Sequence, residues 1–456
     1  MSDFFLSVRG RVLINVEALN MTESVGNYVK HRRVPVVLPE AGNTTLFVPA
    51  ISGESIAHGY QYMLAQTALE RGVPVCNICR RGIFLKSTNR SVFISQFRDK
   101  LEKSLSEKKS LKDAFDFERF VIENCLVEDI GGFLYAPGEQ ELFEKKEDKN
   151  LSGKITKENV KRTSNFFTGY MIPVRESLQS SVIEPQLHSR YALGTPFVKR
   201  EEGQARARGQ MIYNIELSSA VYSFSFDLDA RFIGKATYYY SNIGEEITVD
   251  RNRRVETALD AFRKFVREML FGAKRTRFLP IIDWESMVIA VSDDVWTVPS
   301  PFTIRYLTNS LKKTEKFRPE SLKLFTYVNK DLISKISQRK VGIEVVTREL
   351  LEKIKQELGR KRKEMEEVFS DQKEIIKDKF SELTQEVLRD LIEREVRRLV
   401  EEKVSREIGN EVLLNELRGF IEKANGKTDI VKVFDSPDEA IAEAVEYAKG
   451  LLVKAG

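Results

Sequence analysis

The sequence predicts an α+β sandwich carrying large insertions, and three observations lead there. Residues 9–19 and 210–227 alternate apolar and polar side chains as strands do, residues 51–71 and 251–271 repeat apolar side chains at helical spacing, and residues 287–292 read as a buried strand. In chain order these are strand, helix, strands, helix, strand. That order suits a ferredoxin-like or RNA-recognition-motif sandwich.

In the first strand, Val12, Ile14, Val16 and Ala18 alternate with Arg11, Asn15 and Glu17, which predicts one face on the core and one polar face open to solvent. The chain then enters NMTESVGNYVKHRRVPVV, where Lys30, His31, Arg32 and Arg33 stand together. A polar sheet face leading into cations and short amides suits a phosphate backbone, because Lys and Arg neutralise charge while Asn20 and Asn27 add hydrogen bonds. RNA or DNA is therefore the first partner to consider.

The first helix has Ser52 as its cap, Glu54 in its first turn and Gly72 as its stop, with Ile56, Tyr60, Met63 or Leu64, and Thr67 facing the sheet. Residues 73–126 break the rhythm with Pro74, a Cys pair and a charged helical stretch, and read as an inserted helical lobe. Residues 125–135 (CLVEDIGGFLY) then return to the sheet. Residues 137–210 show little sustained periodicity and read as a long excursion away from the core, a length of loop that is uncommon unless it has a job. The second helix carries Val255, Leu259, Phe262, Val266 and Met269 on one face and stops at Gly272.

From about Val341 the composition turns to dense Glu and Lys, with a stripe of Val387, Leu388, Leu391, Ile392, Leu399, Val400, Val412 and Leu413. The stripe is too broad for a two-position coiled-coil seam, so it predicts helices packed on one another or on a partner. Residues 430–434 read as a short strand, after which Ser436 caps and Pro437 opens a helix that Gly450 ends. The predicted division is residues 1–335, holding the sandwich and its inserts at 73–126 and 137–210, and residues 336–456, a charged and mostly helical extension.

A chain of 456 residues has length for about two to four domains. Its 73 cations against 68 anions leave a formal charge of +5, so any polyanion site must be a local concentration of charge. The wealth of Lys, Arg and Glu fits surface ion pairs of the kind enriched in proteins from hot habitats. No apolar run approaches the roughly 20 residues that span a bilayer, and MSDFFLSVRG lacks the marks of a signal peptide. A cytoplasmic protein with no membrane partner is expected.

Two further segments carry candidate binding residues. Lys274, Arg275 and Arg277 follow a helix end in GAKRTRFLP, where capping by the helix dipole accounts for some of the charge but not for three cations in four residues. His188 and Arg190 lie in the long excursion, in sequence near Lys161, Arg162, Phe166, Phe167 and Tyr191; rings and cations together suit single-stranded nucleic acid, and equally suit a loop pinned to its core. Cys76 and Cys79 form a CxxC, with Cys125 and His58 available as third and fourth ligands of a tetrahedral zinc. One CxxC without a second pair fits structural cysteines better, so no cofactor is the simpler expectation. His31, His58 and His188 lie far apart, and no P-loop, HExxH or nucleophile elbow is present, so no catalytic residue is assigned.

Taken together, NMTESVGNYVKHRRVPVV, ISGESIAHGYQ, CNICRRGIF, CLVEDIGGFLY and GAKRTRFLP resemble the DevR family of CRISPR-associated proteins, the "Cas seven" backbone subunit of Cascade, in its archaeal type I-A (Csa) form. The resemblance spans roughly residues 5–330. It implies an RNA-recognition-motif palm, a helical finger at about 73–126 and a thumb at about 137–210, in copies that polymerise along a CRISPR RNA (crRNA). Carried onto this chain, palm contacts fall on Asn20, Asn27, Lys30, Arg32 and His58, thumb contacts on His188 and Arg190, and a second phosphate patch on Lys274, Arg275 and Arg277.

The resemblance implies as partners crRNA, the target DNA strand, further copies of the chain, and the handle-binding, large, small and helicase-nuclease subunits of the complex. Type III relatives cleave RNA with an Asp in the loop after the first strand, and this chain has none between Asp3 and Asp99, which argues for binding without cleavage. The alternatives are a metal-dependent ribonuclease and a DNA-binding transcriptional autoregulator, although no helix-turn-helix is evident. The family pattern does not account for the tail beyond about residue 335. A small-subunit-like module and an oligomerisation handle both suit it.

Overall fold

A computed structural model of the chain describes residues 3–107, 111–138, 146–178, 181–191, 210–238, 240–247, 249–335 and 411–453. It contains two compact units, Met1–Val328 with Ala424–Gly456, and Asn329–Lys423. The first unit opens with strands β1 (Phe5–Glu17), β2 (Met21–Val25), β3 (Tyr28–His31), β4 (Arg33–Leu38) and β5 (Thr44–Pro49), then helix α1 (Gly53–Glu70). Next come α2 (Arg90–Ser106), α3 (Ala114–Asn124), α4 (Leu126–Gly131), β6 (Phe133–Tyr135), α5 (Lys146–Ser152), β7 (Val160–Arg162), β8 (Phe166–Thr168) and β9 (Val182–Tyr191). Strand β10 (Gln210–Asp229), α6 (Arg251–Glu268), β11 (Ile281–Ser292), α7 (Tyr306–Lys316), β12 (Lys323–Val328) and β13 (Val431–Phe434) precede a last helix, Pro437–Val453.

Strand β1 lies at the centre, antiparallel to β10 on one side and β11 on the other. The main sheet runs β13-β12-β11-β1-β10-β3-β2, with β8 and β9 also paired to β10. Side chains alternate across a strand, so Leu6, Val8, Val12 and Ile14 face one core with α1 and α6. Tyr60 of α1 stands edge-on to Phe226 (4.8 Å between ring centroids), Phe166 (4.9 Å) and Phe265 (6.0 Å). Gly10 interrupts the series because Trp284 fills its place: a Cβ there would lie 2.6 Å from Trp284 Cζ3.

The other face of β1 is not the open polar surface that the alternation predicts. Arg9 pairs with Asp227 (2.6 Å), and Arg11, 1% exposed, pairs with Glu285 (2.5 Å) and Glu176 (2.8 Å). Val298 N–H donates to Ser7 Oγ and Tyr306 Oη to Ser286 Oγ, so the chain around α7 covers this end of the face. Charged residues on a strand thus mark ion pairs under a cover, a distinction that alternation alone does not carry.

Residues 137–210 are tied to the core at more points than an excursion needs. β8 pairs with β10 from Phe226 to Leu228, and all ten residues of β9 pair with β10. The lack of periodicity has a local cause, because β7 and β8 are only three residues each. Residues 125–135 do not rejoin the main sheet: they form α4 and then β6, which pairs with β7 in a separate two-stranded sheet. Helix α6 ends sooner than Gly272, with Met269 in the left-handed region as its cap, and the last helix continues through Gly450.

The extension predicted for 336–456 divides differently. β13 adds to the sheet parallel to β12, and the core includes Ala440, Ile441, Ala444 and Val445 of the last helix, so residues from 424 onward belong with the first unit. Within the second unit, Leu414, Leu417 and Phe420 are buried at helical spacing. Val387 to Val400 of the predicted stripe lie outside the described residues.

Candidate nucleic-acid interface

Three segments remote in sequence meet where β10 begins. The β2–β3 hairpin joins one edge, with Tyr28 opposite Asn214, Val29 opposite Ile215, and Asn214 N–H donating to Asn27 O (2.8 Å). β9 occupies the other edge, placing His188 opposite Tyr213 and Arg190 opposite Met211. Residues 272–278 turn back onto the end of β1: Ala273 N–H donates to Leu19 O (2.9 Å). Gly272 is required there, since its φ is +87° and a Cβ would lie 2.7 Å from Leu19 Cβ.

Two buried glutamates fix the hairpin. Glu216 accepts from His31 N–H (2.7 Å), Arg33 Nη2 (2.9 Å) and Tyr28 Oη (3.0 Å). Glu17 accepts from Leu19 N–H (2.7 Å) and Tyr222 Oη (3.0 Å) and bonds His31 Nε2 at 2.5 Å. A bulge next to Glu17 interrupts the β1–β10 register and leaves Val16 at φ 57°, an uncommon conformation for a β-branched residue. Burial lowers the His31 pKa, but the Glu17 hydrogen bond and its charge outweigh that and raise it above 6.5.

The cations around this frame have different duties. Lys30 and Lys274 are exposed and make no ion pair with any described residue. Arg33 is half-exposed and held by Glu216, while Arg277 Nη1 donates to Tyr213 Oη (2.8 Å). Arg32 sits over the Tyr170 ring, 5.9 Å from its centroid, and donates to its hydroxyl (3.3 Å). Arg275 is partly buried in the 272–278 turn. His188 stacks on Tyr213 (5.5 Å) and meets Phe278 edge-on (5.4 Å), and its Nε2 has no hydrogen-bond partner among the described residues.

Asn27, Lys30 and Arg32 thus lie on or next to the hairpin, His188 and Arg190 on β9, and Lys274, Arg275 and Arg277 on the turn that packs against the end of β1. Asn20 and His58 have other positions. Asn20 is 7% exposed and its Oδ1 accepts from Ser52 N–H (2.5 Å), which seats the amino end of α1. His58 lies on the exposed side of α1, with Nε2 3.2 Å from Gly82 O and its ring edge-on to Phe84. Arg162 is fully buried between Glu118 (2.9 Å) and Asp129 (2.5 Å), and Phe166 packs on Tyr60, so that stretch pins the core. The residues that sequence reasoning missed are Tyr170, Tyr213 and Phe278. Of these, Phe278 had a visible signal in its place directly after Arg277.

The CxxC lies elsewhere. Cys76, Cys79 and Cys125 gather with Glu128, not with His58, and the four donor atoms lie within 4.8 Å of one another. Among the described residues no helix is long and apolar enough to cross a membrane.

Exposed cations beside aromatic rings at a sheet edge define a surface suited to a phosphate chain. Residues 8–311 match the family described as "CRISPR-associated negative auto-regulator DevR/Csa2". The chain is 35% identical to "CRISPR-associated protein Cas7/Csa2 1" of Saccharolobus solfataricus over 317 residues, 68% of this chain and 85% of the relative. It is 34% identical to that organism's "CRISPR-associated aCascade subunit Cas7/Csa2 2", over 62% of this chain and 78% of the relative. The chain belongs to the DevR/Csa2 branch of the CRISPR-associated Cas7 family. A solved chain from "CRISPR RNA-guided surveillance complex, pre-nicking" covers 71% of this chain and 91% of its own length at 10% identity and a TM-score of 0.36, a level that carries no weight for function.

Proposed function

We propose that this chain is a non-catalytic backbone subunit of a type I Cascade, and that copies of it assemble along crRNA by gripping its sugar-phosphate chain and present it for pairing with target DNA. The observation that carries the reading is the meeting of Lys30, His188, Lys274 and Arg277, from three remote segments, at one end of the sheet. Lysines and arginines grip phosphates without reading sequence, and exposed rings give bases a surface to stack on. The order β11-β1-β10-β8, antiparallel throughout, supports the reading of the sheet as an RNA-recognition-motif palm. The aCascade subunit named among the relatives supports assembly with other Cascade subunits. No aspartate stands between Asp3 and Asp99, which supports binding without cleavage.

The test is electron microscopy of the purified full chain with its co-purifying RNA, joined to binding of oligoribonucleotides at low ionic strength. Arcs of repeated subunits and affinity that grows with RNA length are expected. Failure to bind oligoribonucleotides at low salt overturns the proposal.

A further inference from the structure

We propose that Cys76, Cys79, Cys125 and Glu128 hold one structural zinc ion. Their donor atoms lie within 4.8 Å of one another, and none of the four residues is more than 4% exposed. Tetrahedral zinc with Zn–S bonds of about 2.3 Å needs sulfurs about 3.8 Å apart, so closure around the ion takes a movement of at most about an ångström. Cys76 Sγ already lies 3.9 Å from Glu128 Oε1.

Local structure presents all four donors inward. After α1 the chain turns at the CxxC so that Cys79 N–H donates to Cys76 Sγ (3.4 Å), a contact that favours a thiolate. Cys125 is the amino-terminal cap of α4 and Glu128 sits in its first turn, three residues on and on the same side. The carboxylate is aimed by Gln96 Nε2, donating to Oε1 (2.5 Å), and by Ser87 Oγ, donating to Oε2 (2.6 Å). Such outer hydrogen bonds orient metal ligands.

A disulfide would use two of these sulfurs and leave a buried thiol beside a buried carboxylate. Zinc uses all four donors and offsets two of the four negative charges that three thiolates and a carboxylate gather. The ion would fasten the CxxC turn to α4, and so hold the inserted helices α2 and α3 against α1. The site has no open coordination position, which makes its role structural.

The full chain is purified under reducing conditions, dialysed against EDTA and assayed for metal by mass spectrometry. Close to one zinc per chain is expected. Cobalt added to metal-free protein is expected to give thiolate charge-transfer absorption with tetrahedral ligand-field bands, both abolished by zinc. Cys79→Ser should lose the metal, whereas Glu128→Gln should keep the charge-transfer band, alter the ligand-field bands and bind zinc about 10-fold or more weakly. If Cys79→Ser fails to fold, the cobalt and zinc competition on the unaltered chain decides the matter. Reduced protein that holds no zinc and takes up no cobalt overturns the proposal, as does a native disulfide among the three cysteines.

Discussion

Replacing Lys30 and Lys274 together by Ala tests whether the cations at the start of β10 face phosphates. Both are exposed and without an ion pair among the described residues, so the change removes charge and leaves the packing intact. Ala also keeps the Cβ that position 274 already accommodates at φ 53°. Each phosphate contact on a single strand contributes about −0.7 to the slope of log K against log salt, so losing two flattens the slope by about 1.4. Between about 50 and 200 mM salt that amounts to roughly 0.8 log units, or about a sevenfold smaller loss of affinity than the unaltered chain shows. Fluorescence anisotropy with several labelled oligoribonucleotides across that range provides the measurement. Affinity at low salt should fall about equally for every sequence. An unchanged slope means that these lysines touch no phosphate, and a loss confined to some sequences means that the site reads bases.

Two more substitutions probe the frame. Arg162→Met leaves Glu118 and Asp129 buried without their main partner, and among the described residues only Arg254 still forms an ion pair with Asp129 (2.7 Å), so a loss of about 3–5 kcal/mol in urea unfolding is expected. A loss under about 1 kcal/mol would show that the buried pair is dispensable. The Glu17–His31 pair should stabilise the fold most at low pH. With its folded pKa raised, His31 contributes fully below its unfolded value of about 6.5, and that contribution disappears as pH rises through the folded value. The stability gap between the unaltered chain and His31→Gln should therefore narrow from pH ~6 to pH ~9, and an equal gap at both would refute the assignment.

The parts of the fold set by periodicity were readable in the sequence, and the parts set by tertiary pairing were not. Alternation placed Val12 and Ile14 of β1 on the core but failed at Val16, which the bulge before Glu17 leaves exposed, and helical spacing placed Tyr60 and Phe262 on the core. Strand β9 has no such signal, because its pairing with β10 lies at a sheet edge where Val182 and Leu187 remain exposed. Burial of charge was the other blind point. Arg11, Arg162 and His31 look like surface cations in a sequence, yet each is buried against carboxylates contributed by distant segments. The candidate site was half legible for the same reason: Lys30 and Lys274 stand in visible basic runs, whereas Tyr213 is a strand residue whose place under His188 depends on the β9–β10 register.

The site also places acids directly beneath its cations, which at first works against attraction of a polyanion. Glu17 and Glu216 are buried one bonding step from the basic loop. Their charge is met within the fold by hydrogen bonds from Leu19, Tyr28, His31, Arg33 and Tyr222. Under the proposed function, what remains for a phosphate is the charge of Lys30 and Lys274, neither of which forms an ion pair with a described residue, and Lys30 stands on the hairpin that the glutamates hold. Lysine tips favour a repeating phosphate over any particular base, because an ammonium is a point charge whereas base reading needs a planar donor held in register. Removing an anchor should therefore loosen binding differently from removing a tip. Glu216→Gln, which leaves Arg33 without a charged partner, should lower affinity while leaving the salt slope intact, and a slope that changed as in the double lysine variant would mean that the hairpin is not held from beneath.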